Sequence, residues 1–282
     1  MKEMKFSVSM CVYDGDNAEW FEAAVESILT QTVKPSEVVL VVDGFVSEEL
    51  DSVIKKYEQI EGFRVIRLEK NQGHGHARRV GLEACVNEYV ALMDADDISI
   101  PERFEKQLNI FISDPTVDIV GGNITEFVEN PECVVSVREV PSTNEEIKTY
   151  MKDRCPMNQV TVMFKKSSVE EVGGYIDWFC NEDYYLWIRM ALAGMKFSNL
   201  KDILVNVRIS DDSYQRRGGW KYFISEFKLQ NYMLKNRVIG FGQYLINVLK
   251  RFIVQVLLPN KIRGWAFKKF ARKEYAYVEK NI

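Results

Sequence analysis

Apolar and polar positions in the first 120 residues alternate between two periods. Phe6–Val12 is a short, apolar, β-prone run, and Ala18–Gln31 follows with Phe21, Val25, Ile28 and Leu29 at helical spacing. Glu37–Val42, EVVLVV, is too continuously apolar for a one-sided sheet and suits a parallel strand covered on both faces. Ser47–Ile60 reads as a helix capped by Ser47, with Leu50, Val53, Ile54 and Tyr57 as its apolar stripe. Phe63–Leu68 and Tyr89–Met93 are further strands, Gly75–Cys85 is a helix, and Pro101 opens a helix through Phe111. This alternation predicts an α/β fold, an open sheet flanked by helices. Such sheets bind ligands outside the carboxyl ends of their strands. Here those ends carry Tyr13-Asp14, Asp43-Gly44 and Asp94-Ala95-Asp96-Asp97.

From Val117 to about Arg208 the elements shorten. Val117–Gly121, Val134–Val140, Val160–Lys165 and Ile203–Arg208 read as strands and Glu182–Ala193 as a helix. No repeat or low-complexity linker divides the chain before this point. After Gly219 the pattern is helical in about three segments, broken near Gly240 and Pro259-Asn260.

Composition narrows the function. A net charge of −4 over 282 residues argues against a nucleic-acid partner. No run reaches the roughly 18 apolar residues of a membrane span. The start, MKEMKFSVSMCVYDGD, does not read as a signal peptide, so a cytoplasmic chain is expected. Five scattered cysteines without a CxxC are expected to be free, buried thiols. With only His74 and His76 in the chain, a metal would have to sit on oxygen ligands.

Each motif has two readings on its own residues. Three carboxylates in Asp94-Ala95-Asp96-Asp97 repel one another unless a divalent cation with a diphosphate lies among them, or they form an acidic turn with Asp97 as a cap. Asp43 could accept from a ribose hydroxyl or a base N–H, or be an ordinary Asp-Gly turn. Asn71–Arg78 runs a glycine-containing loop into a helix start suited to phosphate, but lacks the P-loop ending and the dinucleotide spacing. Its histidines read as surface or packing residues. Glu182 and Asp183 could be a dipole-favoured helix start, or one could serve as a general base. Arg216 and Arg217 beside Gly218-Gly219 could hold a diphosphate or form an exposed basic loop.

Taken in order, these stretches resemble the family-2 glycosyltransferases, which have a GT-A fold. The resemblance runs from about Phe6 to Tyr222 through VSMCVYDGD, EVVLVVDG, NQGHGHARRVGL, LMDADDISIPERFEKQ, NQVTVMFKKSSVEEVGGY and NEDYYLWIRMALAGMKFSNL. RRGGWKY resembles a segment of the subgroup that builds bacterial exopolysaccharides, capsules and O-antigens, amylovoran-type galactosyltransferases included. The resemblance implies a GT-A domain over 1–215, with a nucleotide-sugar half at 1–120 and an acceptor half at 121–215, and a basic helical tail at 216–282. It implies that Asp43 contacts the uracil or ribose and that Tyr13 and Asp14 line the nucleotide pocket. Asp94 and Asp96, around Ala95, would hold Mn²⁺ or Mg²⁺ and the donor diphosphate. Arg78, Arg216 and Arg217 would lie on the donor side, and Asp183, beside Glu182, would be the catalytic base. Two positions depart from the pattern: Val42 stands where many relatives have a second acid, and Gln159 follows Asn158 where subgroup members often have His.

The implied activity is inverting transfer of a hexose from a nucleotide sugar, with UDP-galactose, UDP-glucose or a UDP-N-acetylhexosamine as donor, to a hydroxyl of a polyprenyl-diphosphate-linked glycan. A degenerate, non-catalytic membrane-associated binding protein is one alternative. A sugar nucleotidyltransferase is another, although its basic triphosphate loop has no counterpart in the acidic VSMCVYDGD. Charge then sharpens the picture: residues 235–282 carry 11 Lys and Arg against 2 Asp and Glu, a net of +9, so the rest carries −13. Tyr244, Leu245, Val248, Leu249, Phe252, Ile253, Val256 and Leu257 fall at helical spacing in that basic segment. A basic amphipathic tail suits the inner leaflet of the bacterial inner membrane, or alternatively packs against protein.

Overall fold

The computed structural model describes residues 4–210 and 218–259, and the backbone of Lys273–Glu274. The elements run β1 (Phe6–Val12), α1 (Ala18–Leu29), β2 (Glu37–Val42), α2 (Glu48–Glu58), β3 (Phe63–Arg67), α3 (His74–Ala84), β4 (Tyr89–Met93), β5 (Ile98–Ser99) and α4 (Arg103–Ser113). The second half adds β6 (Ile119–Phe127), β7 (Val134–Arg138), α5 (Asn144–Tyr150), a 3₁₀ turn (Gln159–Thr161), β8 (Met163–Lys165), α6 (Lys166–Glu171), α7 (Glu182–Leu192) and β9 (Phe197–Arg208). Two helices close the described chain, α8 (Trp220–Lys235) and α9 (Phe241–Phe252), with a π-helical turn at Ile253–Leu257. A last short strand, β10 (Lys273–Glu274), pairs antiparallel with β7.

The strand order is β10-β7-β6-β8-β4-β1-β2-β3, with β9 alongside β6 and β5 paired to β9. β1 to β4 are parallel, as their unbroken apolar runs require, because helices cover both faces. Alternate residues feed the two cores. Phe6, Val8, Met10, Leu40 and Met93 pack under α1, α2 and α4, whereas Val39, Val90 and Leu92 pack under α3, α7 and α8. This is the GT-A architecture that the sequence implied.

Several elements differ from the sequence reading. α4 starts at Arg103, not at Pro101, because Ile100 and Pro101 form a turn whose carbonyls accept from Arg103 N and Thr32 N. β6 extends to Phe127 although it carries Asn123, Thr125 and Glu126. Its pairing with β7 on one side and β9 on the other satisfies the backbone there. β9 begins at Phe197 for the same reason. Gln159–Thr161 is a 3₁₀ turn rather than the start of a strand. The tail is not wholly helical, since Lys273–Glu274 extends the sheet; its third expected helical segment lies otherwise outside the described residues. All five cysteines are free, but Cys133 and Cys180 are exposed rather than buried.

α9 is amphipathic in an inverted sense. Two of its polar side chains, Asn247 and Arg251, face inward: Asn247 is fully buried and donates to Lys152 O at 2.8 Å and Gln230 Oε1 at 2.9 Å. Arg251 Nε pairs with Glu226 Oε2 of α8 at 2.6 Å, and Arg251 Nη2 donates to Asp153 O at 2.7 Å. The outward stripe is apolar: Phe241, Leu245, Leu249, Ile253 and Leu257 recur every four residues and are all exposed. Among the described residues, no helix is long and apolar enough to cross a membrane.

Gly44 fixes how β2 ends. Its φ is +90°, and a Cβ there would lie 2.5 Å from Asn71 N. Gly44→Ala therefore combines left-handed strain with a backbone overlap, at a cost of about 2–3 kcal/mol. Chemical denaturation should show an unfolding free energy lowered by that amount, as a lower midpoint with an unchanged slope.

Candidate active site

The acids at the strand ends are brought together by α3. Gly81 lets that helix ride close to β1, since a Cβ there would lie 2.6 Å from Ser9 Oγ. One turn earlier, the buried Arg78 points over the carboxyl end of β4. Its Nη2 donates to Asp94 Oδ1 at 3.0 Å, and its Nη1 donates to Glu182 Oε1 at 3.3 Å. Gln159 completes the bridge. With its amide turned to suit its neighbours, Oε1 accepts from Arg78 Nε at 3.3 Å and Nε2 donates to Asp183 Oδ2 at 3.0 Å. One guanidinium thus joins the acid at the end of β4 to both acids opening α7.

Gln159 is held by its predecessor. Asn158 Nδ2 donates to Gly122 O at 2.8 Å, Gly122 N donates to Thr161 Oγ1 at 3.1 Å, and Thr161 Oγ1 donates back to Asn158 O at 2.7 Å. Asn158 therefore pins the 3₁₀ turn to β6, and Gln159 faces the acids. On the other side, α8 braces the loop before α7: Asn181 Nδ2 donates to Ser225 Oγ at 3.1 Å, and Ser225 Oγ donates to Phe179 O at 2.5 Å.

The remaining residues singled out in the sequence fall into three groups. Asp43 is buried and faces backbone: it accepts from Gln72 N at 2.7 Å and Gly73 N at 2.9 Å, so it anchors the loop leading into α3. Tyr13 and Asp14 are exposed on the turn after β1, where Tyr13 N donates to Asp16 Oδ2 at 2.9 Å. Asp94 and Asp96 are half-buried around the buried Ala95. Arg216 and Arg217 lie outside the described residues. Two features were missed in the sequence. Arg208 closes the acidic strand end, its backbone N donating to Asp97 Oδ1 at 2.8 Å and its Nε to Asp96 O at 3.2 Å. His74 is exposed, as read, but borders the site, with Nδ1 3.7 Å from Glu182 Oε1. An isolated Arg or His in a sequence carries no signal for such placement.

The electrostatics follow the crowding. Burial first, then Asp96 and Asp94, push the Asp97 carboxyl well above its ordinary value. Glu182 is raised by burial and by Asp183, against the opposing pull of Arg78. Cys155 Sγ lies 4.0 Å from Asp183 Oδ2, and burial followed by that carboxylate lifts its thiol to about 12, so it stays protonated. A cavity of about 590 Å³ is lined by Asp94, Asp97, Gln159 and Asp183 together with side chains of α8 and α9.

Comparison with known proteins agrees with this architecture. Residues 7–173 match the family model for Glycosyl transferase family 2. The chain is 38% identical over 269 residues to UDP-Gal:alpha-D-GlcNAc-diphosphoundecaprenol beta-1,3-galactosyltransferase of Escherichia coli, covering 95% of this chain and 97% of that one. It is 36% identical to the amylovoran biosynthesis glycosyltransferase AmsE of Erwinia amylovora, over 94% of this chain and 98% of that one. Among solved structures, S. aureus TarS 1-349 in complex with UDP-GlcNAc matches with a TM-score of 0.67 at 17% identity, covering 94% of this chain and 76% of that one. A Pyrobaculum calidifontis mannosyltransferase in complex with GDP-Man and Mn²⁺ matches at 0.60 and 16%, covering 93% of this chain and 74% of that one. The chain belongs to glycosyl transferase family 2 and is a glycosyltransferase with a GT-A fold.

Arg78 is testable without a substrate. Its field, and then burial, lower the His74 pKa from 6.5 to about 4. Because the folded value lies below the unfolded one, His74 favours folding fully above pH 6.5 and loses that contribution as pH falls toward 4. In Arg78→Met, the NMR titration midpoint of His74 should rise toward 6.5, and stability should fall by about 3–5 kcal/mol because Glu182 loses its counter-charge. A midpoint that stays near 4 would show that Arg78 is not the cause.

Proposed function

We propose that this protein transfers a hexose, with inversion, from a UDP-sugar to a hydroxyl of a polyprenyl-diphosphate-linked glycan. The single observation carrying the reading is the Arg78 bridge, which sets Asp94 and Asp183 around one cavity. Sequence likeness to an enzyme named for UDP-Gal and a diphosphoundecaprenol acceptor supports the donor and acceptor classes.

In this reading the half at 1–120 binds the donor. Tyr13 and Asp14 flank the nucleotide, and Asp43 shapes the base and ribose site through the loop it holds. Asp94 and Asp96 offer two hard oxygen donors, which fits Mg²⁺ or Mn²⁺, since such ions complete their shell with waters and diphosphate oxygens. When bound, the cation neutralises charge developing on the departing UDP.

Asp183 takes the proton from the acceptor hydroxyl as that oxygen attacks the anomeric carbon. Gln159 holds Oδ2 of Asp183, and Tyr184 N donates to Oδ1 at 2.7 Å, so the carboxylate is oriented before the acceptor arrives. Glu182, tied to Arg78, supports that position and is too buried to serve in its place. The C–O bond to UDP breaks as the new glycosidic bond forms, which inverts the configuration in a single displacement.

The enzyme works at the cytoplasmic face of the inner membrane, with the exposed stripe of α9 turned to the lipid. The basic charge of residues 235–282 supports that orientation.

Asp183→Asn should lower kcat by about 10²- to 10⁴-fold with UDP affinity unchanged, and equal turnover would remove Asp183 from this role. Asp96→Ala should weaken UDP binding measured with Mn²⁺ while sparing metal-free binding. A panel of UDP-galactose, UDP-glucose and UDP-N-acetylhexosamines read by nucleotide release identifies the donor. Release of pyrophosphate instead of UDP would favour a nucleotidyltransferase. Vesicles containing anionic lipid should retain the full chain but not a variant with Leu245 and Leu249 changed to Asp.

A further inference from the structure

The cavity is lined by charges of both signs. Asp94, Asp97 and Asp183 line it. Arg138, Arg154, Lys250 and Arg251 line it too, as do Asp153 and Glu226. Arg251 is committed to Glu226 and to the Asp153 carbonyl and forms a fixed backing. Lys250 is looser: its Nζ is 3.5 Å from Asp153 Oδ1, and its side chain is 61% exposed. The Arg154 guanidinium lies 5.7 Å from the Tyr150 ring centroid and forms no ion pair among the described residues. An arginine fork beside a mobile ammonium is a phosphate-binding pair.

We infer that Arg154 and Lys250 hold the diphosphate of the acceptor lipid. This rests on the lipid-diphosphate reading above. The location fits. The acceptor sugar must present its hydroxyl to Asp183, so the phosphates attached to that sugar fall about one ring away, within the same cavity. α9 carries Lys250 toward the cavity while its Leu245 and Leu249 face outward. The polyprenyl chain then leaves the phosphates along the apolar side of the same helix.

The test is steady-state kinetics of the full chain with a synthetic sugar diphospholipid and its single-phosphate counterpart. Wild type should strongly prefer the diphosphate. Arg154→Ala and Lys250→Ala should each raise KM for that acceptor about 10- to 100-fold and erase most of the preference, leaving KM for the UDP-sugar unchanged. Arg154→Lys should recover part of the loss, and UDP affinity checks that each variant is folded. An unchanged acceptor KM, or a raised donor KM in its place, overturns the assignment. So does loss of binding to anionic vesicles with acceptor KM intact, which would give these cations to lipid headgroups. Failure of wild type on every diphosphate acceptor, with donor hydrolysis intact, instead overturns the lipid-diphosphate reading itself.

Discussion

A buried guanidinium cannot shed its proton in a protein, and its N–H groups must be matched by acceptors, carboxylates most strongly. Arg78 is that constraint here. It lies between Asp94, at the end of a parallel strand, and Glu182, at the start of a helix 104 residues later in the chain. It also presents Nε to Gln159, whose amide reaches Asp183. The end of β4 and the start of α7 are thus registered to each other. Gly81 and Asp43 serve this placement, one by letting α3 approach β1 and the other by tying down the loop into α3.

The C-terminal helices make the site a cavity instead of an open strand end. α8 braces the loop before α7 through Ser225, and α9 adds charged side chains to the cavity wall. α9 turns Asn247 and Arg251 inward because the surface it covers offers carbonyls and a carboxylate. Its apolar residues are left facing out, the reverse of an ordinary surface helix. Charged cavity and apolar stripe are therefore two faces of one helix.

Much of the first half was legible from pattern alone. The runs Phe6–Val12, Glu37–Val42 and Tyr89–Met93 form strands at the bounds read from the sequence, because unbroken apolar stretches between turn residues have one stable solution under helices on both faces. The second half was read less well. β6 and β9 carry polar residues such as Asn123, Thr125 and Asn206, which look unlike a strand until cross-strand partners are known. The helical stripe in α9 was seen, but not which side of it would face water, since periodicity locates a face without saying what lies against it.

The sequence by itself determined the parallel α/β sheet, the acids waiting at its strand ends and the division of charge between an acidic body and a basic tail. These depend on neighbours along the chain, or on composition, and need no partner from afar. Tertiary structure alone decided that Asp43 would spend its carboxylate on backbone N–H groups, that Arg78 would join Asp94 to Glu182, and that Gln159 would reach Asp183. Those bonds link positions from 16 to 104 residues apart and depend on angstrom-scale distances that only the packed fold sets.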